Sequence, residues 1–177
     1  EEEIFCSVAR NGFNPNDKSM TSSNGVDWTV HTTGVSAEWR DVCWAPDREE
    51  FFAVARGANP ITVKGMSSAN GESWTSAPLP QNSCHWEGVI RADDLELYLA
   101  VGLRYAGNEA TPYLAYSYDG TDRVPSLQPS DGVSYQSVCW AKEIGLLVAV
   151  TNHGTSVTTN QVLLAYPRIL SNLVITP

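Results

Sequence analysis

A chain of 177 residues is long enough for one domain with a sizeable core. Its 20 acidic side chains outnumber 11 basic ones, and the formal charge of −9 repels nucleic-acid phosphates and anionic lipid, so neither is expected as a partner. No stretch reads as a transmembrane helix or a secretory leader, so no membrane insertion is expected, and the acidity is read as a solubility feature.

Taken from the N-terminus, the chain keeps returning to the same three phrases. It opens on Glu1-Glu2-Glu3-Ile4 and then Phe5-Cys6-Ser7-Val8-Ala9-Arg10, which copies Phe51 to Arg56. With no initiator Met, it is expected to be a processed or excised piece. A polar phrase follows, Ser22-Ser23-Asn24-Gly25-Val26-Asp27-Trp28. Then come Trp39-Arg40-Asp41-Val42-Cys43-Trp44-Ala45-Pro46 and Phe51-Phe52-Ala53-Val54-Ala55. The polar phrase returns as Ser68-Ala69-Asn70-Gly71-Glu72-Ser73-Trp74. The third unit reads Trp86-Glu87-Gly88-Val89, Tyr98-Leu99-Ala100-Val101-Gly102 and Ser117-Tyr118-Asp119-Gly120-Thr121-Asp122-Arg123. The fourth reads Tyr135-Gln136-Ser137-Val138-Cys139-Trp140-Ala141 and Leu147-Val148-Ala149-Val150-Thr151. Its polar phrase is worn down to Pro167-Arg168-Ile169-Leu170-Ser171-Asn172-Leu173. Ser7, Ala53, Ala100 and Ala149 recur at intervals of 46, 47 and 49 residues.

The polar phrase has the chemistry of a hairpin turn. Ser22 and Asn24, Ser68 and Asn70, and Ser117 and Asp119 can accept hydrogen bonds from turn amides. Gly25, Gly71 and Gly120 supply the positive φ that tight hairpins need. Trp28 and Trp74 can fold back over the turn. These residues are therefore read as structural rather than as ligand contacts.

Each unit reads as four short strands. Strand a runs from Trp39 to Trp44, strand b from Phe51 to Ala55, strand c ends in the turn, and strand d follows at Trp28 to His31 or Trp74 to Ser76. Short strands filling a period of this length make a four-stranded antiparallel blade, and no helical periodicity is sustained. The expected fold is all-β: a β-propeller, or a propeller fragment, forming a single domain. Four blades are expected at about 1–34, 35–80, 81–130 and 131–177, the first and last incomplete or degenerate. Residue 1 falls in the a–b turn of the first blade, which lacks its own strand a. Leu173 to Thr176 is assigned to strand d of blade four. The exposed edge of Phe5 to Ala9 is then expected to be covered by a neighbouring copy or by further sequence.

The S-x-[D/N]-G-x-x-W phrase resembles the Asp-box, or BNR repeat, of sialidase-like propellers. Together with WxxVCWxP and FxAVA it looks like repeat proteins of large algal viruses, phages and marine bacteria. Two boxes carry Asn for Asp, and one carries Arg123 for Trp. The resemblance implies a propeller whose function lies anywhere among enzymes, lectin-like binders and assembly factors. It carries the expectation of a virion or extracellular setting.

Candidate site residues follow from the repeat. Arg10, Arg56 and Arg104 come just after strand b in three blades, on the face shared by the b–c and d–a loops, where they can converge on a carboxylate. The Arg-Ile-Pro signature of sialidases is missing, and no catalytic residue is assigned. Trp39, Trp86 and Tyr135 open strand a in successive blades and are candidates for stacking on sugar rings. Trp44 and Trp140 are read as blade-to-blade core. His31, His85 and His153 have no paired spacing and are read as surface residues, so neither a metal nor a cofactor is expected. Cys6, Cys43, Cys84 and Cys139 form no CxxC pair and are read as buried free thiols.

The expected function is a non-enzymatic scaffold for binding, adhesion or particle assembly, with a glycan or protein surface as ligand. A homo-oligomer or further blades would complete the ring. The alternatives are a fragment of an Asp-box glycoside hydrolase and an intracellular assembly scaffold.

Overall fold

The computed structural model describes residues 3–10, 17–56, 65–77, 79, 84–106, 109–118, 123–126, 134–152 and 162–165. They form four antiparallel sheets with no α-helix among the described residues. The first contains β1 (Phe5–Val8), β2 (Lys18–Ser22) and β3 (Thr29–Thr32). The second contains β4 (Glu38–Ala45), β5 (Glu50–Arg56), β6 (Gly65–Ser68) and β7 (Thr75–Ser76). The third contains β8 (Cys84–Ala92), β9 (Leu97–Ala106), β10 (Glu109–Ser117) and β11 (Arg123–Ser126). The fourth contains β12 (Ser134–Ala141), β13 (Leu146–Asn152) and β14 (Val162–Ala165). In each sheet sequence neighbours are spatial neighbours, an up-and-down meander made by hairpins. These are strands a to d of the repeat, with strand a of the first sheet absent among the described residues.

The register is the same in all four sheets. Phe5 pairs with Ser22, Phe51 with Ser68, Tyr98 with Ser117, and Leu147 with Ala165. Ala165 therefore holds the place of the turn serines. Aligning the worn fourth phrase on Pro167 put that place two residues too late, because pairing rather than residue type fixes a register. Leu173 to Thr176 lies outside the described residues.

Two c–d turns show how the polar phrase works. Ser22 Oγ accepts from the amides of Asn24 and Gly25, at 3.3 and 2.9 Å, and Asn24 Oδ1 accepts from Val26 and Asp27, both at 2.8 Å. Ser68 and Asn70 repeat this with the amides of Asn70, Gly71, Glu72 and Ser73. Gly25 and Gly71 both sit at φ +73°. Ser117 closes β10 in the third copy, while Asp119 and Gly120 lie outside the described residues.

The second turn is also keyed into the first sheet. Trp74 Nε1 donates to Gly71 O at 2.9 Å and to Ser19 Oγ at 3.0 Å, and Ser19 Oγ donates to Gly71 O at 2.9 Å. A Cβ on Gly71 would lie 2.8 Å from Thr21 Cγ2 and 3.2 Å from Cys6 Sγ, whereas one on Gly25 would meet only the Phe5 ring, at 3.7 Å.

The core is divided into three seams, one between each pair of successive sheets. Trp39, Phe51, Ala53, Met66 and Trp74 pack with Cys6 and Val8 in the first. Phe52, Val54, Trp86, Tyr98 and Tyr113 fill the second. Leu97, Leu99, Val101, Tyr135, Val138 and Leu147 fill the third. Burying each such side chain is worth about 1.5–3 kcal/mol.

This corrects the reading of Trp39, Trp86 and Tyr135 as stacking platforms. All three are buried, and the Trp39 and Trp86 rings have no accessible surface, so no face is left for a sugar. Trp39 Nε1 donates to Val35 O at 3.2 Å, and Trp86 meets Tyr113 edge-on at 5.6 Å. Each of the three fills the seam with the preceding sheet. Trp44, expected in the core, is exposed and lies against Phe51 with ring centroids 4.6 Å apart. All four thiols are free, but Cys139 is exposed rather than buried.

Polar contacts staple the second seam. Arg91, whose side chain is almost wholly buried, donates through Nε and Nη2 to the two oxygens of Asp47 and through Nη1 to Tyr118 O. It also lies 4.4 Å above the Tyr98 ring, whose hydroxyl donates to Glu50 at 2.9 Å.

Two predictions follow from the turn and the staple. Gly71→Ala combines backbone strain with a clash against the short, β-branched Thr21 side chain and should cost more than about 1 kcal/mol in urea unfolding, clearly more than Gly25→Ala, which carries the strain alone. The hydrogen bond from Arg91 holds the Asp47 carboxyl below its ordinary value. Its contribution is then full above the ordinary aspartate range and is lost as pH falls through the lowered value. The melting-temperature gap between the wild type and Asp47→Asn should be widest near pH 6 and close towards pH 3.

Candidate functional site

In each antiparallel sheet the start of strand a and the end of strand b share one edge. Here those edges carry the charged residues of the site. Glu38 opens β4 opposite Arg56 at the end of β5, His85 follows the start of β8, and Arg10 lies just beyond β1.

Strand a breaks its ladder at the same place in three sheets. The register shifts between Trp39 and Asp41, between Trp86 and Gly88, and between Tyr135 and Ser137. The residues left over are Arg40, Glu87 and Gln136. A bulge bends the strand and re-aims the extra side chain away from strict alternation. It allows an aromatic residue to fill the seam while its neighbour serves another purpose.

Arg40 and Glu87 meet across successive sheets. Glu87 Oε2 lies 3.5 Å from Arg40 Nε, and Oε1 lies 3.6 Å from Arg56 Nε, so one carboxylate is shared by two guanidinium groups. Glu38 approaches Arg40 Nη2 at 3.9 Å. Arg56 Nε donates to His85 Nδ1 at 2.9 Å, which places the neutral imidazole proton on Nε2. The Arg40 and Glu87 side chains are only 9% and 6% exposed. Both ion-pair contacts of Arg40 are too long for hydrogen bonds, and its Nε and Nη2 are buried donors without an acceptor.

Burial pulls the Arg40 guanidinium below its ordinary value, Glu87 opposes this, and the charges of Arg10 and Arg56 lower it further. Arginine remains charged under such pressure. Three arginines against Glu38 and Glu87 leave the site cationic in a chain of net charge −9. Alongside it, Asp41 spans the seam: Oδ2 accepts from the Val89 amide at 2.9 Å and Oδ1 from Val42, and burial raises its carboxyl above the ordinary range.

Of the arginines chosen from the repeat, the exposed Arg10 and the partly exposed Arg56 both reach the field of Arg40. Arg104 lies in β9 opposite Cys84 and Thr111. Sequence reasoning missed Arg40, Glu87 and Gln136. The signal was present in Trp-Arg-Asp-Val, Trp-Glu-Gly-Val and Tyr-Gln-Ser-Val, where the residue after the aromatic is polar in each copy. Among the described residues no three His, Cys, Asp or Glu side chains are grouped to hold a metal ion, and no helix is long and apolar enough to cross a membrane.

The fold is that of a β-propeller. One similar solved structure is the crystal structure of a nidogen/laminin complex, with a TM-score of 0.64 at 11% identity, covering 89% of this chain and 56% of that one. The chain thus spans just over half the length of that propeller-containing chain. A GH32 β-fructofuranosidase of Bombyx mori, solved as a mutant with sucrose, matches at a TM-score of 0.46 and 15% identity, over 80% of this chain and 36% of that one. No protein-family model and no curated protein matches the sequence.

Glu87→Gln should leave Arg40 buried without its counter-charge and cost about 3 kcal/mol or more in urea unfolding. Replacing both partners with methionine should recover most of that loss, because the stranded charge leaves with the carboxylate.

Proposed function

We propose that this chain is a non-enzymatic β-propeller scaffold that binds a carboxylate-bearing glycan or protein surface at the arginine-rich edge of strand a. The observation that carries the reading is a cluster of three guanidinium groups in an otherwise acidic molecule: the forks of Arg10 and the partly exposed Arg56 reach solvent, in the field of the buried Arg40. A bidentate carboxylate is the group whose geometry matches such a fork. Glu87, held between two arginines, supplies an acceptor for ligand hydroxyls and sets the depth of the site. In sequence, the residues between strands b and c are rich in Asn, Gly and Thr, the composition of specificity loops on a rigid scaffold.

The same reading takes the Ser-x-Asn-Gly turns as Asp-box repeats and the whole chain as one propeller unit. It places the protein in adhesion or particle assembly, in a virion or extracellular setting. The nidogen/laminin structure supports it to the extent that a propeller of this shape occurs in a protein–protein complex.

The test is a panel of neutral, carboxylated and sulfated glycans and an acidic peptide, followed by calorimetric titration of whatever is retained. Carboxylated ligands should bind, and Arg56→Gln should weaken them at least about tenfold, or about 1.4 kcal/mol, with an unchanged circular dichroism spectrum. Equal binding of neutral sugars, or indifference to Arg56→Gln, would overturn the reading. Release of free sugar from a bound glycan would replace it with glycoside hydrolysis.

A further inference from the structure

The two outermost sheets each leave one face open, and the repeat shows what such a face normally meets. Phe5, Phe51, Tyr98 and Leu147 are register equivalents on strand b. The last three are 8%, 3% and 5% exposed, each covered by the preceding sheet, whereas Phe5 is 53% exposed. Trp28 repeats the contrast, at 41% exposed against 9% for Trp74. Trp74 Nε1 finds Ser19 on the preceding sheet, while among the described residues Trp28 Nε1 bonds its own turn, at 3.3 Å to Gly25 O. Val26 and Val30 extend the same exposed apolar surface. The first sheet thus presents the front half of a seam.

The fourth sheet presents the back half. Val54 and Val101 fill seams completely towards the following sheet, and their register equivalent Val150 is exposed. Cys139, equivalent to the Cys43 that packs into the second seam, is exposed as well. Among the described residues Phe5 and Val150 are both open, so the described strands of the fourth sheet do not cover the front of the first.

We infer that the front of the first sheet is covered by the back of the fourth sheet of a second copy of this chain. The contact is heterologous, one face type meeting the other, and continues the seam already built three times within the chain. A second copy satisfies both open faces at once. Two copies together carry eight sheets, within the range of closed propellers, so the head-to-tail contact can close on itself. This inference is independent of the ligand-binding reading.

The experiment is analytical ultracentrifugation of the 177-residue chain across low to high micromolar concentration, with Phe5→Arg for the front face and Val150→Arg for the back. Both positions are already solvent-accessible, and circular dichroism checks that each variant is folded. The wild type is expected to dimerise, and each variant alone to be monomeric or at least tenfold weaker. Mixing the two variants is expected to restore dimers, because the mixture retains one intact front and one intact back. A wild type that stays monomeric throughout overturns the inference and leaves a further blade of a longer polypeptide as the cover. So does a dimer untouched by either change. A dimer lost with Phe5→Arg but not Val150→Arg overturns it in favour of a front-to-front contact, and failure of the mixture to recover also rejects head-to-tail pairing.

Discussion

A twisted antiparallel sheet with apolar residues on both faces cannot bury either face by itself, and each sheet of this protein satisfies its needs through its neighbours. The seam between successive sheets is therefore the contact on which the rest depends. It explains why Phe51 and Phe52, adjacent in sequence, are both buried: one faces the sheet before and one the sheet after. Some polar atoms within the seams come as matched sets, although Trp86 Nε1 has no partner among the described residues. Ser19, Gly71 and Trp74 form a closed group of hydrogen bonds, and Asp41 reaches across to the amide of Val89. Left unpaired, each such group would cost about 1–3 kcal/mol.

The charged site is a by-product of the same geometry. The aromatic residue near the start of strand a fills the seam with the preceding sheet. The bulge after that aromatic frees one position from the ladder, and Arg40 and Glu87 occupy it in neighbouring sheets. A buried ion pair contributes little net stability, because desolvation of two charges offsets their attraction. Here the pair also leaves two arginine donors without acceptors among the described residues. Arg91 provides the contrast. It is buried more fully, yet Asp47, Tyr118 O and the Tyr98 ring engage its guanidinium.

Much of this was legible in the sequence. Strand type, strand order and sheet number follow from a period of 46 to 49 residues, because a repeat states its own hairpin spacing several times over. The turns at Ser22 and Ser68 were legible to the level of single hydrogen bonds, since Ser, Asn and Gly at those offsets have one local use and no distant residue is needed to form it. That Arg10 and Arg56 lie near one another was legible because strand ends on one edge of a meander must lie together.

What the sequence could not decide was the direction of side chains where regular alternation fails. A single bulge moves Trp39 and Trp86 into the seams and leaves Arg40 and Glu87 to meet, and no periodicity announces an extra residue. Register in the fourth sheet likewise came from pairing with Leu147 rather than from the worn phrase around Pro167. Nor could residue type distinguish Phe5 from Phe51, or Cys139 from Cys43, because equivalent residues differ only in whether another sheet lies against them. The sequence by itself determined the repeating unit, whose interactions are local. Only the tertiary structure decided which copies of each residue are covered, because burial is a property of the neighbouring sheet and not of the residue.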